Sequence, residues 1–136
     1  MRKCIVAGIF FLSVFSSAFP AAKKIDIDFT KMGKTMAYAM LYNICFDQEK
    51  YIGKTMRIKG SFFMTEGERD GANFYSVMIY DATACCQIGL DFIPRGNKKY
   101  PIDFPKDMEE IEITGTYSVT NKYGFEYFYL DVEEMP

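Results

Sequence analysis

The sequence of 136 residues contains no histidine and no tryptophan. Histidine is the usual general base near neutral pH and the commonest metal ligand in proteins, so its absence removes the most frequent catalytic and metal-binding side chain. The chain also lacks a G-x-S-x-G motif, a phosphate-binding glycine-rich loop and a spaced pair of carboxylates. We therefore expect a protein that is not an enzyme and that needs no cofactor.

The chain has one long apolar run, which lies at its start. Two positive residues precede the uncharged stretch 4–15, and the small residues 16–18 follow it. This order is typical of a secretory signal peptide. The alternative is a membrane anchor, but the run is shorter than the ~20 residues that span a bilayer. We expect residues 1–22 to be a signal peptide, cleaved after Ala18 or Ala22, and the mature chain to be exported to the periplasm or the extracellular space without a membrane span.

Positive charge is scarce in the part that remains. Removing residues 1–22 takes Arg2 and Lys3 with it and leaves 14 basic against 18 acidic residues, a net charge of −4. Proteins that bind nucleic acid contact the phosphate backbone through lysine and arginine on one face. The charge balance therefore disfavours nucleic acid and leaves an unidentified small molecule, a glycan or a protein as the expected partner.

The spacing of the apolar residues changes at Gly53. Before it, a stripe on a 3.6-residue period predicts a helix over 32–46, and its members are Met36, Met40, Leu41, Ile44 and Cys45. After it, apolar and polar residues alternate, and the predicted strands cover residues 55–65, 74–80, 85–93, 110–119 and 125–132. A flat five-stranded sheet of this size would leave its edges exposed. We therefore expect residues 23–136 to form one mainly β domain, a small five-stranded barrel with the helix packed over one end.

Three segments of the predicted barrel resemble parts of the oligonucleotide/oligosaccharide-binding (OB) fold. Residues 47–60, with Tyr-Ile-Gly-Lys before an alternating strand, resemble the entry into the fold. Residues 112–117 resemble the fourth strand, and residues 127–132 resemble the fifth. The stretch 81–92, with its paired cysteines, is similar to a segment of small exported bacterial proteins of unknown function. It is also similar to the C-terminal domain of an uncharacterised permease-associated family. The resemblance implies an OB-like barrel over about residues 47–133, and this barrel carries many unrelated functions.

Three cysteines remain after removal of the signal peptide: Cys45, Cys85 and Cys86. Cys45 lies on the predicted helix stripe, and Cys86 has the inward parity of Ile88 in the third predicted strand. We therefore predict that Cys45 and Cys86 face the interior and form a disulfide, which export would permit. Three alternatives stay open: a Cu(I) or Zn site built from all three cysteines, a redox role, and free thiols.

Methionines and aromatic residues supply two further candidate features. Copper could bind the thioethers of Met32, Met36 and Met40, but we interpret these residues as part of the apolar helix stripe. Rings on the strands are typical of OB ligand faces, and the candidates are Phe63, Tyr75, Tyr127 and Tyr129. The alternative is that these rings belong to the core or to cross-strand pairs. We expect a non-catalytic binding module of unidentified ligand, with a thiol-based metal-binding protein as the alternative.

Overall fold

The computed structural model describes residues 23–67 and 71–135, and the predicted signal peptide over 1–22 lies outside this part. One α-helix, α1, runs from Lys34 to Phe46. The strands are β1 (Ile27–Asp28), β2 (Thr55–Glu66), β3 (Asn73–Tyr80), β4 (Gln87–Pro94), β5 (Glu110–Thr120) and β6 (Tyr127–Val132). The predicted fold class is confirmed, because β2 to β6 close into a small OB-like barrel and β1 adds one short strand.

Closure of the barrel depends on the length of β2. Its second half pairs antiparallel with β3, and its first half pairs antiparallel with β5. Gly60 lies where the two pairings meet, and a Cβ atom at this position would collide with the backbone carbonyl oxygen of Met78. Only glycine therefore lets β2 bend this close to β3. The ring is completed by the antiparallel β3–β4 and β5–β6 pairs and by the parallel β4–β6 pair.

The core fills the barrel and is sealed at both ends. Along the strands, alternate side chains point inward, among them Ile58, Phe62, Val77, Phe92 and Leu130, all of which are fully buried. At one end α1 covers the interior with residues 37, 41 and 44. At the other end the proline-rich loop after β4 contributes residues 100 and 104, which pack against the same core.

The helix begins later than predicted and buries a different stripe. It starts at Lys34 rather than at residue 32, and its buried side chains are Ala37, Leu41 and Ile44. Met36 and Cys45 were predicted to lie on this stripe, but both are exposed, Met36 by 63%. Each residue turns a helix by about 100°, so a neighbour of a buried position lies well off the buried face. The i, i+4, i+7 spacing of residues 37, 41 and 44 was the correct pattern.

The third strand also begins later than predicted, at Gln87 rather than at residue 85. Cys85 and Cys86 therefore lie in the turn between β3 and β4, where strand parity does not apply. The prediction that Cys86 faces the interior is wrong for this reason, since its side chain is exposed. Within residues 23–67 and 71–135, no helix is long and apolar enough to cross a membrane.

Candidate functional site

The four aromatic ligand-face candidates do not lie on one surface. Tyr75 lies on the same side of the barrel wall as the buried Phe62 and Phe92, and its ring stacks on Phe104 with centroids 4.2 Å apart. Tyr75 therefore belongs to the seal between the barrel and the proline-rich loop. Phe63, Tyr127 and Tyr129 alternate with inward-facing neighbours on their strands, so they lie on the outer side of the wall.

Two of these candidates belong to a cluster of rings on the outer side of the barrel. Phe74 lies at the start of β3, and the turn between β5 and β6 adds two more rings. We call this cluster the outer aromatic face, and it consists of Phe74, Tyr123, Phe125, Tyr127 and Tyr129. Sequence reasoning did not select Phe125, which was assigned to a strand but lies in the turn, where its side chain is 54% exposed.

Tyr127 is the centre of the outer aromatic face. Its ring centroid lies 5.3 Å from that of Phe74, 5.3 Å from that of Tyr123 and 6.0 Å from that of Tyr129. The Tyr123 and Tyr127 rings are perpendicular, which is a favoured aromatic geometry. Tyr127 is buried beneath its neighbours, so the cluster forms a packed platform with Phe125 projecting from it.

A polar group lies beneath the platform. The Ser76 hydroxyl on β3 donates a hydrogen bond to the Asp91 carboxylate on β4. Burial raises the pKa of Tyr127 well above its usual range, and the charge of nearby Asp91 adds to the shift. The Tyr127 hydroxyl consequently keeps its proton to a higher pH than an exposed tyrosine does.

The arginine at the edge of the platform is paired with carboxylates. Arg95 lies close enough to Tyr129 for its positive charge to act against the rise in the pKa of the Tyr129 hydroxyl. It forms two hydrogen bonds with the Asp131 carboxylate, at 2.9 and 2.6 Å. A third bond of 3.1 Å joins Arg95 to Glu133. The positive charge of Arg95 is thus balanced by two carboxylates. This platform is suited to stacking against the face of a ring with little net charge.

Two shallow depressions lie away from the platform. One, of about 500 Å³, is lined mainly by Tyr42, Phe46 and Lys50 beside α1. The other, of about 370 Å³, lies between β5 and the C-terminal residues around Glu133. Neither contains a residue of the outer aromatic face.

The predicted disulfide is not present. Cys45, Cys85 and Cys86 are all exposed free thiols. Cys45 lies beside the buried position 44 and faces outward, and Cys86 lies in a turn, as described above. Partial desolvation raises the pKa of the Cys45 thiol, and the charge of Asp91 adds to the rise.

Asp81 organises the turn that carries the paired cysteines. Its Oδ1 atom accepts the backbone N–H of Cys85 at 2.9 Å and that of Cys86 at 3.3 Å. The Thr83 hydroxyl donates to its Oδ2 atom at 2.9 Å. Desolvation works to raise the pKa of the Asp81 carboxyl, but these hydrogen bonds outweigh it and hold the pKa below its usual value. Sequence reasoning missed Asp81, although an aspartate two residues before a threonine in a strand break is a recognisable turn signal.

The three cysteines do not assemble into one ligand set. In the part of the chain that the structure describes, no group of three or more Cys, Asp or Glu side chains is placed to hold a metal ion. Met32 and Met40 pack against the core, whereas Met36 is exposed. Comparison of the chain with protein-family models, with curated proteins and with solved structures gave no match.

Proposed function

We propose that the chain is an exported, non-catalytic binding module that recognises a neutral glycan on its outer aromatic face. The observation that carries this proposal is the position of the cluster on the barrel. In OB barrels, the ligand face is formed by the second and third barrel strands with the loops between strands one and two and between strands four and five. Those elements are β3 and β4 here, with the β2–β3 and β5–β6 turns. Phe74, Tyr123 and Phe125 come from these elements.

The chemistry of the face supports a sugar over a polyanion. Aromatic rings offer flat apolar surfaces on which the faces of sugar rings stack. A nucleic acid is bound by several lysines and arginines along its backbone. On this face Arg95 is paired with Asp131 and Glu133, and Lys122 lies over the Tyr123 ring. The net charge of −4 after removal of residues 1–22 acts in the same direction. Export is supported by the order of charged, apolar and small residues at the start of the chain.

An array of neutral oligosaccharides, probed with the chain lacking residues 1–22, tests this function. We expect binding to at least one glycan, and Phe125→Ala should weaken it about tenfold or more because the exposed ring makes direct contact. Phe46→Ala is the matched control, because Phe46 is also an exposed aromatic residue, at 83%, but lies on α1. The proposal is contradicted if Phe125→Ala binds the glycan as well as the unmodified protein does. It is also contradicted if no glycan on the array binds.

A further inference from the structure

The turn between β3 and β4 presents two free thiols side by side. Cys85 and Cys86 are consecutive and both are exposed. In a regular strand their side chains would point to opposite faces, but both precede the first residue of β4. The Asp81 carboxylate accepts the backbone amides of both residues, so the two consecutive cysteines lie on one short turn with both thiols open to a partner in solvent.

The backbone holds this dithiol in place before anything binds. The Asp81 carboxylate accepts both cysteine amides, and the Asp81 amide donates to the Cys86 carbonyl oxygen at 3.0 Å. Ala84, just before the pair, has a φ of 56°, a left-handed conformation that alanine adopts only when surrounding contacts fix it. Because the turn is already ordered by these bonds, a ligand need not supply the free energy of ordering it.

We propose that the Cys85–Cys86 turn binds one Cu(I) ion, or another soft monovalent cation of the same class, through its two sulfur atoms. Soft thiolate ligands select such ions. Structural zinc is expected to take four ligands, and within residues 23–67 and 71–135 no third Cys, Asp or Glu completes a set with this pair. The Asp81 carboxylate beneath the turn adds negative charge, which attracts a cation.

The binding step is a simple exchange of protons for metal. Two thiol protons leave, two Cu–S bonds form, and neither copper nor sulfur changes oxidation state. The site differs from the three-cysteine site considered from the sequence, because Cys45 on α1 is not part of it. It is also independent of the glycan proposal, since no residue of the outer aromatic face takes part.

The test is a Cu(I) titration of the reduced protein lacking residues 1–22, under anaerobic conditions and in competition with a chromophoric Cu(I) chelator. We expect one equivalent of Cu(I) per chain, confirmed by the mass of the intact complex. The double variant Cys85→Ser and Cys86→Ser should lose at least tenfold in affinity. Cys45→Ser is the matched control, an exposed free cysteine elsewhere, and should bind as the unmodified protein does.

Three results would overturn the proposal. One is failure of the unmodified protein to compete with the chelator. Another is retention of Cu(I) by the double serine variant, and the third is loss of Cu(I) in Cys45→Ser, which would point to a three-cysteine site.

Circular dichroism checks that the variants are folded, which we expect because all three side chains are exposed. A parallel reaction with phenylarsine oxide, which condenses with two neighbouring thiols and releases water, should modify Cys45→Ser but not the double variant.

Discussion

Tyr117 shows how a single buried polar side chain is accommodated in the barrel. It is 1% exposed, and its hydroxyl accepts a hydrogen bond of 3.4 Å from the side-chain amide of Gln48. Burial raises the pKa of Tyr117 to about 12, although the bond from Gln48 partly opposes the rise. The neutral hydroxyl therefore fits the folded state, whereas the ionised form does not.

This shift predicts a loss of stability at alkaline pH. Tyrosine in the unfolded chain ionises near pH 10, whereas Tyr117 in the folded chain keeps its proton until about pH 12. The contribution is complete below pH 10 and is lost as pH rises from there through the folded pKa. When the pH is raised from 9 to 11.5, the free energy of unfolding should fall in both proteins. The fall should be about 2 kcal/mol smaller in Tyr117→Phe than in the unmodified protein. Urea unfolding followed by circular dichroism measures this, and an equal loss in both proteins would contradict the assignment.

At the scale of elements, β2 closes the barrel and the loop after β4 seals one end of it. The alternation that predicts β2 is visible in the sequence, and so is the glycine at its centre. The seal formed by Tyr100 and Phe104 was not predictable, because proline-rich segments carry no hydrophobic period. The error at Cys86 came from an element boundary, since β4 begins two residues later than predicted. The error at Cys45 came from choosing a stripe next to the one that the helix buries.

The bend in β2 predicts a cost for any side chain at Gly60. In Gly60→Ala the new Cβ would also lie 2.9 Å from Cγ1 of Val77, so the strands must move apart. We expect a loss of about 2 kcal/mol in the free energy of unfolding. Gly33→Ala is the control, because nothing lies within 4 Å of its Cβ position, and its change should be below about 1 kcal/mol. Equal stability of the two variants in urea unfolding would rule out a close approach at Gly60.

The packing of the loop after β4 against the core predicts that two neighbouring loop residues, Phe104 and Ile102, contribute differently to stability. Phe104 stacks on Tyr75 and lies 5.8 Å from the Phe62 ring, so Phe104→Ala should lower stability by about 1–3 kcal/mol. Ile102 in the same loop is 82% exposed, and Ile102→Ala should change stability by no more than about 0.5 kcal/mol. Thermal unfolding of both variants distinguishes them. A loop that only connects β4 to β5 would give two small effects of the same size.

At the scale of the whole molecule, the sequence was sufficient for the fold class and insufficient for the outer aromatic face. The change of period at Gly53 separates helix from strands, and five alternating segments are enough to predict a barrel. The outer aromatic face combines Phe74 with residues from the β5–β6 turn, about 50 positions later. The pairing of β3 with β4 and of β4 with β6 brings them together, and the parallel β4–β6 pair has no local sequence signal.

Export makes a prediction about the mature chain. If residues 1–22 act as a signal peptide, the exported protein begins at Phe19 or at Lys23. Mass spectrometry of protein recovered from outside the cytoplasm measures this start. An exported protein that retains Met1 would contradict the signal-peptide interpretation.

The most direct test of the binding proposal locates the ligand on the barrel. Isotope-labelled protein lacking residues 1–22 is titrated with the oligosaccharide that binds best on the array, and amide and aromatic NMR shifts are followed. We expect the largest changes at Phe74, Tyr123, Phe125 and Tyr129, with Tyr42 and Phe46 on α1 unaffected. Changes confined to α1, or spread evenly over the surface, would contradict the proposal that the outer aromatic face is the binding site.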